Sequence, residues 1–201
     1  MSRDSQNSRE SSDKPNFATD AMVPLLRKCS TLTDEDLRGL TRHARTPQKQ
    51  FSELVVLIGN RFEVDVCSLY LLEQNRPEIV LAATVGLRQA CVGNLRMALW
   101  QGLAGLVAQQ RRTVMVPEAA KHARFKYFRE AEEDAYQSFL GTPVEYQGVL
   151  QGVLVIQTVS AASFDAEEIR LFEQVADTIS PTVGHGRRYL QGDEEPSEPA
   201  S

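Results

Sequence analysis

The side chains that could carry out covalent or metal chemistry are few in this sequence and lie far apart. They are three cysteines and three histidines: Cys29, Cys67, Cys91, His43, His122 and His185. This spacing fits neither a disulfide framework nor a Cys-x-x-Cys metal site, and no paired carboxylates accompany the histidines at ligand spacing. No Gly-x-Ser-x-Gly elbow, phosphate-binding loop or His-Glu-x-x-His motif is present. The sequence therefore predicts no catalytic site, no metal site and no cofactor.

Several apolar segments contain isolated polar residues, and this pattern favours reversible binding of a small molecule over catalysis. In the segment Val66–Leu72, strand alternation places Ser68 and Tyr70 on the same face of a sheet. Thr84 and Gln157 are polar residues in two further apolar segments. A few polar groups among apolar walls are typical of a small-molecule site. The alternative is a closed core in which these side chains are merely packed.

The segment Arg124–Arg129 interleaves basic and aromatic residues, a pattern that can bind single-stranded nucleic acid by stacking. Four acidic residues follow it and would weaken any attraction to phosphate: Glu130, Glu132, Glu133 and Asp134. In the alternative interpretation, Phe125 and Phe128 cover the sheet while the charges are solvated. The whole chain carries a net charge of −5, from 22 basic and 27 acidic residues, so it has no general attraction for nucleic acid. We expect no nucleic-acid partner.

The length of 201 residues, 42% of them hydrophobic, suits one domain with polar tails. Residues 1–20 and 190–201 are rich in polar and acidic side chains, and we expect both to be disordered. The amino terminus lacks the apolar stretch of a secretory signal, and no apolar run approaches the ~18 residues needed to span a bilayer. The sequence predicts a cytoplasmic protein without a membrane partner.

Apolar residues at helical spacing predict two long helices. One covers Pro47–Phe62, and the other begins after Asp165, where Glu168 completes a capping box. Pro181, with two glycines soon after it, predicts a kink and weak final turns in the last helix. An earlier helical segment is expected within residues 21–46, starting near Thr33, and a short helix is expected after the turn at residue 101.

The remaining apolar segments are short and rich in residues that favour strands. They predict strands at residues 66–72, 79–85, 91–99, 113–116, 137–146 and 149–159. Gln147-Gly148 joins the last two strands and is a hairpin signal. Strands joined by hairpins, with helices before and after them, predict an α+β fold in which an antiparallel sheet carries a helical layer.

Six stretches, taken in order, resemble the landmarks of GAF domains. They are DVCSLYLL at 65–72, ATVGL at 83–87, QGLAG at 101–105, KHARFKYF at 121–128, SFLGTP at 138–143 and GVLVIQ at 152–157. The later stretches are most similar to the amino-terminal GAF sensor domains of nitrogen-type phosphoenolpyruvate–protein phosphotransferases. The resemblance implies a GAF domain over residues 47–189, with the terminal helices on one face of a central antiparallel sheet and a lidded pocket on the other.

The resemblance also implies a ligand site beneath a lid formed by His122–Phe128. The implied ligand-binding residues are Ser68, Tyr70, Thr84, Leu103, Ala104, Phe125, Tyr127, Val155 and Gln157. The implied ligand is a small metabolite, for example an amino acid such as glutamine. The sequence departs from the family at Gln101, where an acid is usual, at Ala123, where proline is usual, and at Val85, where arginine is usual. These departures put the identity of the ligand in question.

The function that the resemblance implies is a stand-alone sensor or regulatory domain that signals through a protein partner or through a homodimer formed by the terminal helices. The same resemblance implies a link to nitrogen phosphotransfer. The phosphohistidine and phosphoenolpyruvate-binding domains of those phosphotransferases have no counterpart in these residues, so we expect no enzyme activity. One alternative is a ligand-free protein-interaction module. A second is a cysteine-based free methionine sulfoxide reductase, although no cysteine occupies the Gln101–Gly105 turn and Cys67 lies on the strand face opposite Ser68.

Overall fold

The computed structural model of the protein describes residues 32–33, 35–36, 39, 44, 46–131, 136–161 and 163–192. Its strands are β1 (Val66–Leu72), β2 (Glu78–Val85), β3 (Arg96–Ala98), β4 (Val114–Val116), β5 (Ser138–Tyr146) and β6 (Val149–Thr158). They form one six-stranded sheet in the order β3-β2-β1-β6-β5-β4, and every pairing is antiparallel. Strands β5 and β6 form the predicted hairpin, whose turn residues Gln147 and Gly148 both have positive φ, at 52° and 75°.

Long helices precede and follow the sheet in sequence, and a short helix lies between β3 and β4. They are α1 (Pro47–Phe62), α2 (Gly102–Gln110) and α3 (Ala166–Gln191). Helix α1 begins where the Thr46 side chain accepts a hydrogen bond from the Lys49 N–H and where proline occupies the first turn. Helix α3 begins at the predicted capping box, in which Asp165 accepts from two backbone N–H groups and the Glu168 carboxylate accepts from the Asp165 N–H at 2.9 Å.

The two faces of the sheet are covered by different elements. Cys67 and Leu69 of β1 are fully buried on the face that packs against α1 and α3. On that side Phe62 and Phe172 meet edge to face, with ring centroids 5.4 Å apart. Tyr70 belongs to the core on the other face, which is covered by α2 and by residues 119–131. The α+β class, the antiparallel sheet and the placement of the terminal helices are therefore confirmed.

The predicted strand at residues 91–99 is wrong over most of its length. Only Arg96–Ala98 pairs with β2 as a strand, and a 3₁₀ turn at Gln89–Cys91 precedes it. Gly93 adopts a positive φ of 77°, and the Asn94 carboxamide donates to the Ala90 carbonyl at 3.0 Å. The segment still exchanges two backbone hydrogen bonds with Leu81 of β2, from the Gly93 N–H and to the Leu95 carbonyl, but the turn prevents a regular ladder before Arg96.

The predicted weakness at the end of α3 is also wrong, because the helix continues past Pro181 to Gln191. The two glycines allow this segment to lie directly against its neighbours. A Cβ at Gly184 would lie 2.7 Å from Cδ1 of Tyr146, and a Cβ at Gly186 would overlap the ring of Phe51. The glycines therefore serve close packing of α3 on β5 and α1.

The predicted terminal segments fall largely outside the described residues, as does Cys29. In the described part of residues 21–46, the Asp36 carboxylate accepts from the Thr33 N–H at 2.8 Å and lies 3.0 Å from Nη2 of Arg61. The hydrogen bond from the Thr33 backbone is the main cause that lowers the pKa of Asp36 below its ordinary value of 3.8. In the described residues, no helix is both long and apolar enough to cross a membrane.

Candidate functional site

A small cavity lies between the sheet, α2 and the segment that precedes β5. Its volume is about 30 Å³, which is room for roughly one or two water molecules. Its walls are formed by Tyr70, Met97, Gly102, Leu103, Ala104, Ala119, Phe125, Lys126, Phe128, Phe139, Val155 and Gln157. Most of the lining residues are apolar, and Tyr70, Lys126 and Gln157 add polar groups, a combination found in ligand sites.

Two glycines bring α2 close enough to the sheet to form one side of this cavity. Gly102 has a positive φ of 66°, and a Cβ there would lie 2.9 Å from the sulfur of Met97. A Cβ at Gly105 would lie 2.8 Å from the Ala98 carbonyl oxygen. Helix α2 therefore begins directly against β3, and its first turn places Leu103 and Ala104 over the sheet.

The segment His122–Phe128 forms the outer wall and is held by hydrogen bonds to neutral acceptors. The backbone N–H of Arg124 donates to Nδ1 of His122 at 3.1 Å, so the imidazole stabilises a turn in this segment. Nζ of Lys126 donates to Oε1 of Gln101 at 2.9 Å and lies 4.9 Å from the centre of the Phe128 ring. The Phe128 side chain, only 8% exposed, lines the outer side of the cavity.

The structure brings together six of the nine predicted ligand-binding residues in the lining of this cavity: Tyr70, Leu103, Ala104, Phe125, Val155 and Gln157. Ser68 and Thr84 are buried, and their hydroxyl oxygens lie 2.8 Å apart, each as the other's hydrogen-bond partner. Tyr127 is 40% exposed and does not line the cavity.

Sequence reasoning missed several wall residues, of which Met97 and Phe139 are the largest. Phe139 and Gly141 lie on the same face of β5, and a Cβ at Gly141 would lie 2.7 Å from the Phe139 ring and 3.0 Å from Val107. The Phe-x-Gly pattern was a usable signal, since a glycine within a strand often marks close approach of another element. Met97 gave no comparable signal, because the segment around it looked like an ordinary strand.

A surface groove of about 560 Å³ lies on the outer side of Phe128. It is lined by Arg88, Ala90, Cys91, Asn94, Leu95, Arg96 and Phe128. Phe128 therefore lines both the small cavity and the groove.

The described cysteines do not form a reactive pair. Cys67 is fully buried on the helical face of the sheet, and burial raises the pKa of its thiol far above the ordinary range. Cys91 is also buried, beside the surface groove and on the opposite side of the sheet. Among the described residues, no group of three or more His, Cys, Asp or Glu side chains could hold a metal ion.

Comparison with known proteins identifies the fold and the family. The family model described as "GAF domain" matches residues 46–183, which is most of the chain. The chain belongs to the GAF family. The match begins at the residue before α1 and ends within α3, so the GAF domain contains the whole sheet, the cavity and the surface groove.

The GAF domain is similar to those of phosphoenolpyruvate-dependent phosphotransferases. It is 32% identical over 131 residues to the Escherichia coli protein named "Phosphoenolpyruvate-dependent phosphotransferase system", a match that covers 63% of this chain and 18% of that protein. The solved GAF domain of a phosphoenolpyruvate-protein phosphotransferase from Coxiella burnetii is 32% identical, with a TM-score of 0.69, and the match covers 77% of this chain and 94% of that one. The suspected resemblance is confirmed.

A more distant structural relative bears on the reductase alternative. Free methionine-R-sulfoxide reductase from Neisseria meningitidis, solved in complex with its substrate, has a TM-score of 0.64 and 16% identity, over 82% of this chain and 99% of that one. Identity this low indicates a shared fold alone. Together with the buried position of Cys67, it does not favour a reductase.

Proposed function

We propose that this GAF domain is a regulatory sensor that binds a small metabolite in the cavity beneath His122–Phe128. The observation that carries the proposal is the cavity itself, a space lined by apolar side chains and by polar groups from Tyr70, Lys126 and Gln157. Glutamine, the ligand that the resemblance suggests, is one candidate. The similarity to phosphotransferase GAF domains supports a regulatory role linked to phosphotransfer.

Binding requires the cavity to open, because typical ligand pockets occupy about 300 Å³ or more. Movement of Phe128 toward solvent would join the small cavity of about 30 Å³ to the groove of about 560 Å³. The segment that carries Phe128 consists of 3₁₀ turns and irregular backbone between β4 and β5, so it can move without breaking a strand pairing. A ligand would then stabilise the open arrangement by its greater affinity for that state.

The signal would leave the domain through a protein partner or through a homodimer formed by the terminal helices. The last turn of α3 is hydrogen-bonded to the end of β1, the strand that carries Tyr70: Nε2 of Gln191 donates to the Leu72 carbonyl at 3.0 Å. Leu72 follows Tyr70 on β1 by two residues, so a shift of β1 at the cavity would reach the last turn of α3. We assign the domain no catalytic role, and we expect it to act in the cytoplasm.

A ligand-free interaction module is the second candidate, and the small cavity favours it. The mutual hydrogen bond of Ser68 and Thr84 also leaves two predicted ligand groups satisfied without a ligand. In this case the domain would bind a partner protein constitutively, and metabolites would not change its stability.

Simultaneous replacement of Tyr70 and Phe125 by alanine tests the location of the site. Both side chains line the cavity, so the double variant should lose measurable affinity for whichever metabolite stabilises the wild-type protein, while still melting cooperatively. Tyr127→Ala is the matched control, since this aromatic side chain is exposed outside the cavity and its loss should leave affinity unchanged. Calorimetric titration measures both. Unchanged affinity in the double variant would show that the site lies elsewhere.

A further inference from the structure

We propose that the surface formed by Trp100, Arg124, Lys126 and Tyr127, here named the Trp100 surface, docks an acidic segment of a partner protein. The proposal goes beyond metabolite sensing and does not depend on it. The surface lies on the outer side of the His122–Phe128 wall, at the start of α2. It combines exposed aromatic rings with cationic groups in a protein that is acidic as a whole.

The charge of this surface differs from that of the rest of the chain. Residues 119–129 contain Lys121, Arg124, Lys126 and Arg129 and no acidic residue, whereas the net charge of the protein is −5. Acidic residues flank this stretch, with Glu118 before it and four others within residues 130–134 after it. Lys121 is paired with Glu118 at 2.7 Å. In the described part of the chain, neither Arg124 nor Lys126 has a carboxylate partner.

The hydrogen bonds of Arg124 and Lys126 position their charges without neutralising them. Nη1 of Arg124 donates to the side-chain oxygen of Gln109 at 3.2 Å, and Nη2 approaches the Leu99 carbonyl oxygen at 3.4 Å. Nζ of Lys126 donates to Oε1 of Gln101. Nε of Arg124 is buried and has no hydrogen-bond partner in the described structure. A guanidinium held only by neutral acceptors keeps its positive charge available to an incoming carboxylate, which would bind at the Nη groups and not at the buried Nε.

Trp100 lies between the two points that these cations contact. Arg124 reaches the carbonyl of Leu99, and Lys126 reaches the side chain of Gln101, so the cations flank the tryptophan along the chain. Trp100 is 60% exposed, which is unusual for the largest apolar side chain. Tryptophan, tyrosine and arginine are the residues most enriched at the energetic centres of protein interfaces. The partner segment is therefore expected to carry an apolar side chain between its carboxylates.

The same surface is continuous with the wall of the cavity. Lys126 belongs to the cavity lining, and its ammonium group lies over the ring of Phe128. A partner that pairs with Lys126 would therefore bias the position of Phe128. Docking and opening of the cavity are expected to influence each other, although docking alone needs no metabolite.

A fluorescein-labelled peptide of glutamates interspersed with leucines is the probe that tests this surface. We expect saturable binding by fluorescence anisotropy that weakens as salt is added. Emission of Trp100, the single tryptophan of the chain, should change with the same dependence on peptide concentration. The double variant R124E/K126E should bind the peptide at least about tenfold more weakly, because charge reversal replaces attraction with repulsion.

Matched variants separate docking from a general effect of charge. R76E/R170E changes the net charge by the same amount at two exposed residues outside the surface and should bind the peptide like the wild type. The R124E/K126E variant should gain affinity for a peptide in which lysines replace the glutamates, provided that its melting temperature shows it to be folded. Trp100→Ala should also weaken anisotropy binding, through loss of the apolar anchor.

Three results would overturn the proposal. The first is no binding of the acidic peptide, or equal binding by R124E/K126E and R76E/R170E. The second is tighter binding of a polyuridylate oligonucleotide than of the peptide, which would assign the surface to nucleic acid. The third is self-association that is lost in R124E/K126E, which would assign the surface to a second copy of the chain. The peptide titrations contain no metabolite, so their failure would leave the metabolite proposal standing, and that proposal is tested separately on the wild-type protein.

Discussion

Ser68 and Thr84 show how a buried polar residue can serve the fold instead of a ligand. Ser68 pairs directly with Thr84 across β1 and β2 and with Val155 across β1 and β6. The two hydroxyl groups satisfy each other at 2.8 Å, and Thr84 is also 3.4 Å from the Cys67 carbonyl oxygen. This pair removes the penalty of burying two polar groups in the core of the sheet.

The stability losses caused by replacing Ser68 and Thr84 should not be additive: most of the loss should already occur when one of the two hydroxyl groups is removed. Ser68→Ala removes the 2.8 Å partner of the Thr84 hydroxyl and leaves it only contacts of 3.4 Å to the carbonyl oxygens of Cys67 and Val85, so we expect the free energy of unfolding to fall by about 1–3 kcal/mol. Adding Thr84→Val should then cost little more, because it removes a buried hydroxyl that is already poorly bonded. Urea denaturation of the two single variants and the double variant measures this. Strictly additive losses would contradict the assignment as a mutual pair.

At the scale of elements, α3 depends on glycines that would weaken an ordinary helix. Alanine normally stabilises a helix interior by about 1 kcal/mol relative to glycine. At Gly186, however, an added methyl group would overlap the ring of Phe51, which is fully buried and cannot move aside. We therefore expect Gly186→Ala to lower the melting temperature, in opposition to helix propensity.

Pro181→Ala is the matched substitution on the same helix. Pro181 is exposed and lacks the N–H that a helix interior uses, so its replacement should raise the melting temperature. Opposite shifts for the two variants, measured by circular dichroism at 222 nm, are the expected result. A stabilising Gly186→Ala would show that α3 is not packed closely against α1.

The segment that covers the cavity, residues 119–131, is held in place mainly by side-chain contacts and not by regular secondary structure. Residues 119–131 contain two short 3₁₀ turns and otherwise irregular backbone, held by side-chain hydrogen bonds of Arg124 and Lys126. Such a segment has fewer backbone hydrogen bonds to break than a strand or helix, so it is the part of the sheet's cover that can open at lowest cost. This property is what the proposed sensor requires.

At the scale of the whole molecule, the sequence was sufficient for the architecture because the periodicities were clear. The apolar stripe of Pro47–Phe62 and the short, strand-favouring apolar run Val66–Leu72 predicted α1 and β1 with the observed bounds. The Asp165 cap likewise located the start of α3. One error arose at Gly93, where a positive φ interrupts the expected strand. The other arose after Pro181, where Gly184 and Gly186 pack closely on Tyr146 and Phe51, contacts that a single sequence does not reveal.

The site was harder to predict than the fold, because its shape depends on contacts between elements that a single sequence does not reveal. Strand alternation and family resemblance placed Tyr70, Val155 and Gln157 toward the cavity, and all three line it. Alternation alone does not reveal that two hydroxyl groups on adjacent strands will bond to each other. It also does not reveal the volume of a cavity, which depends on how Phe128 packs between the small cavity and the groove.

The central claim, that the cavity opens to hold a small metabolite, is tested most directly by melting the protein against glutamine, other amino acids, 2-oxoglutarate, cyclic nucleotides and phosphoenolpyruvate. At a concentration of about 100 times its dissociation constant, a ligand adds about 2.7 kcal/mol to the stability of the folded state. For a chain of this size, this is a rise in melting temperature of roughly 5–11 °C. The sensor account predicts such a rise for one compound or one chemical class. A cooperative transition that no compound shifts would contradict it and would favour a ligand-free interaction module.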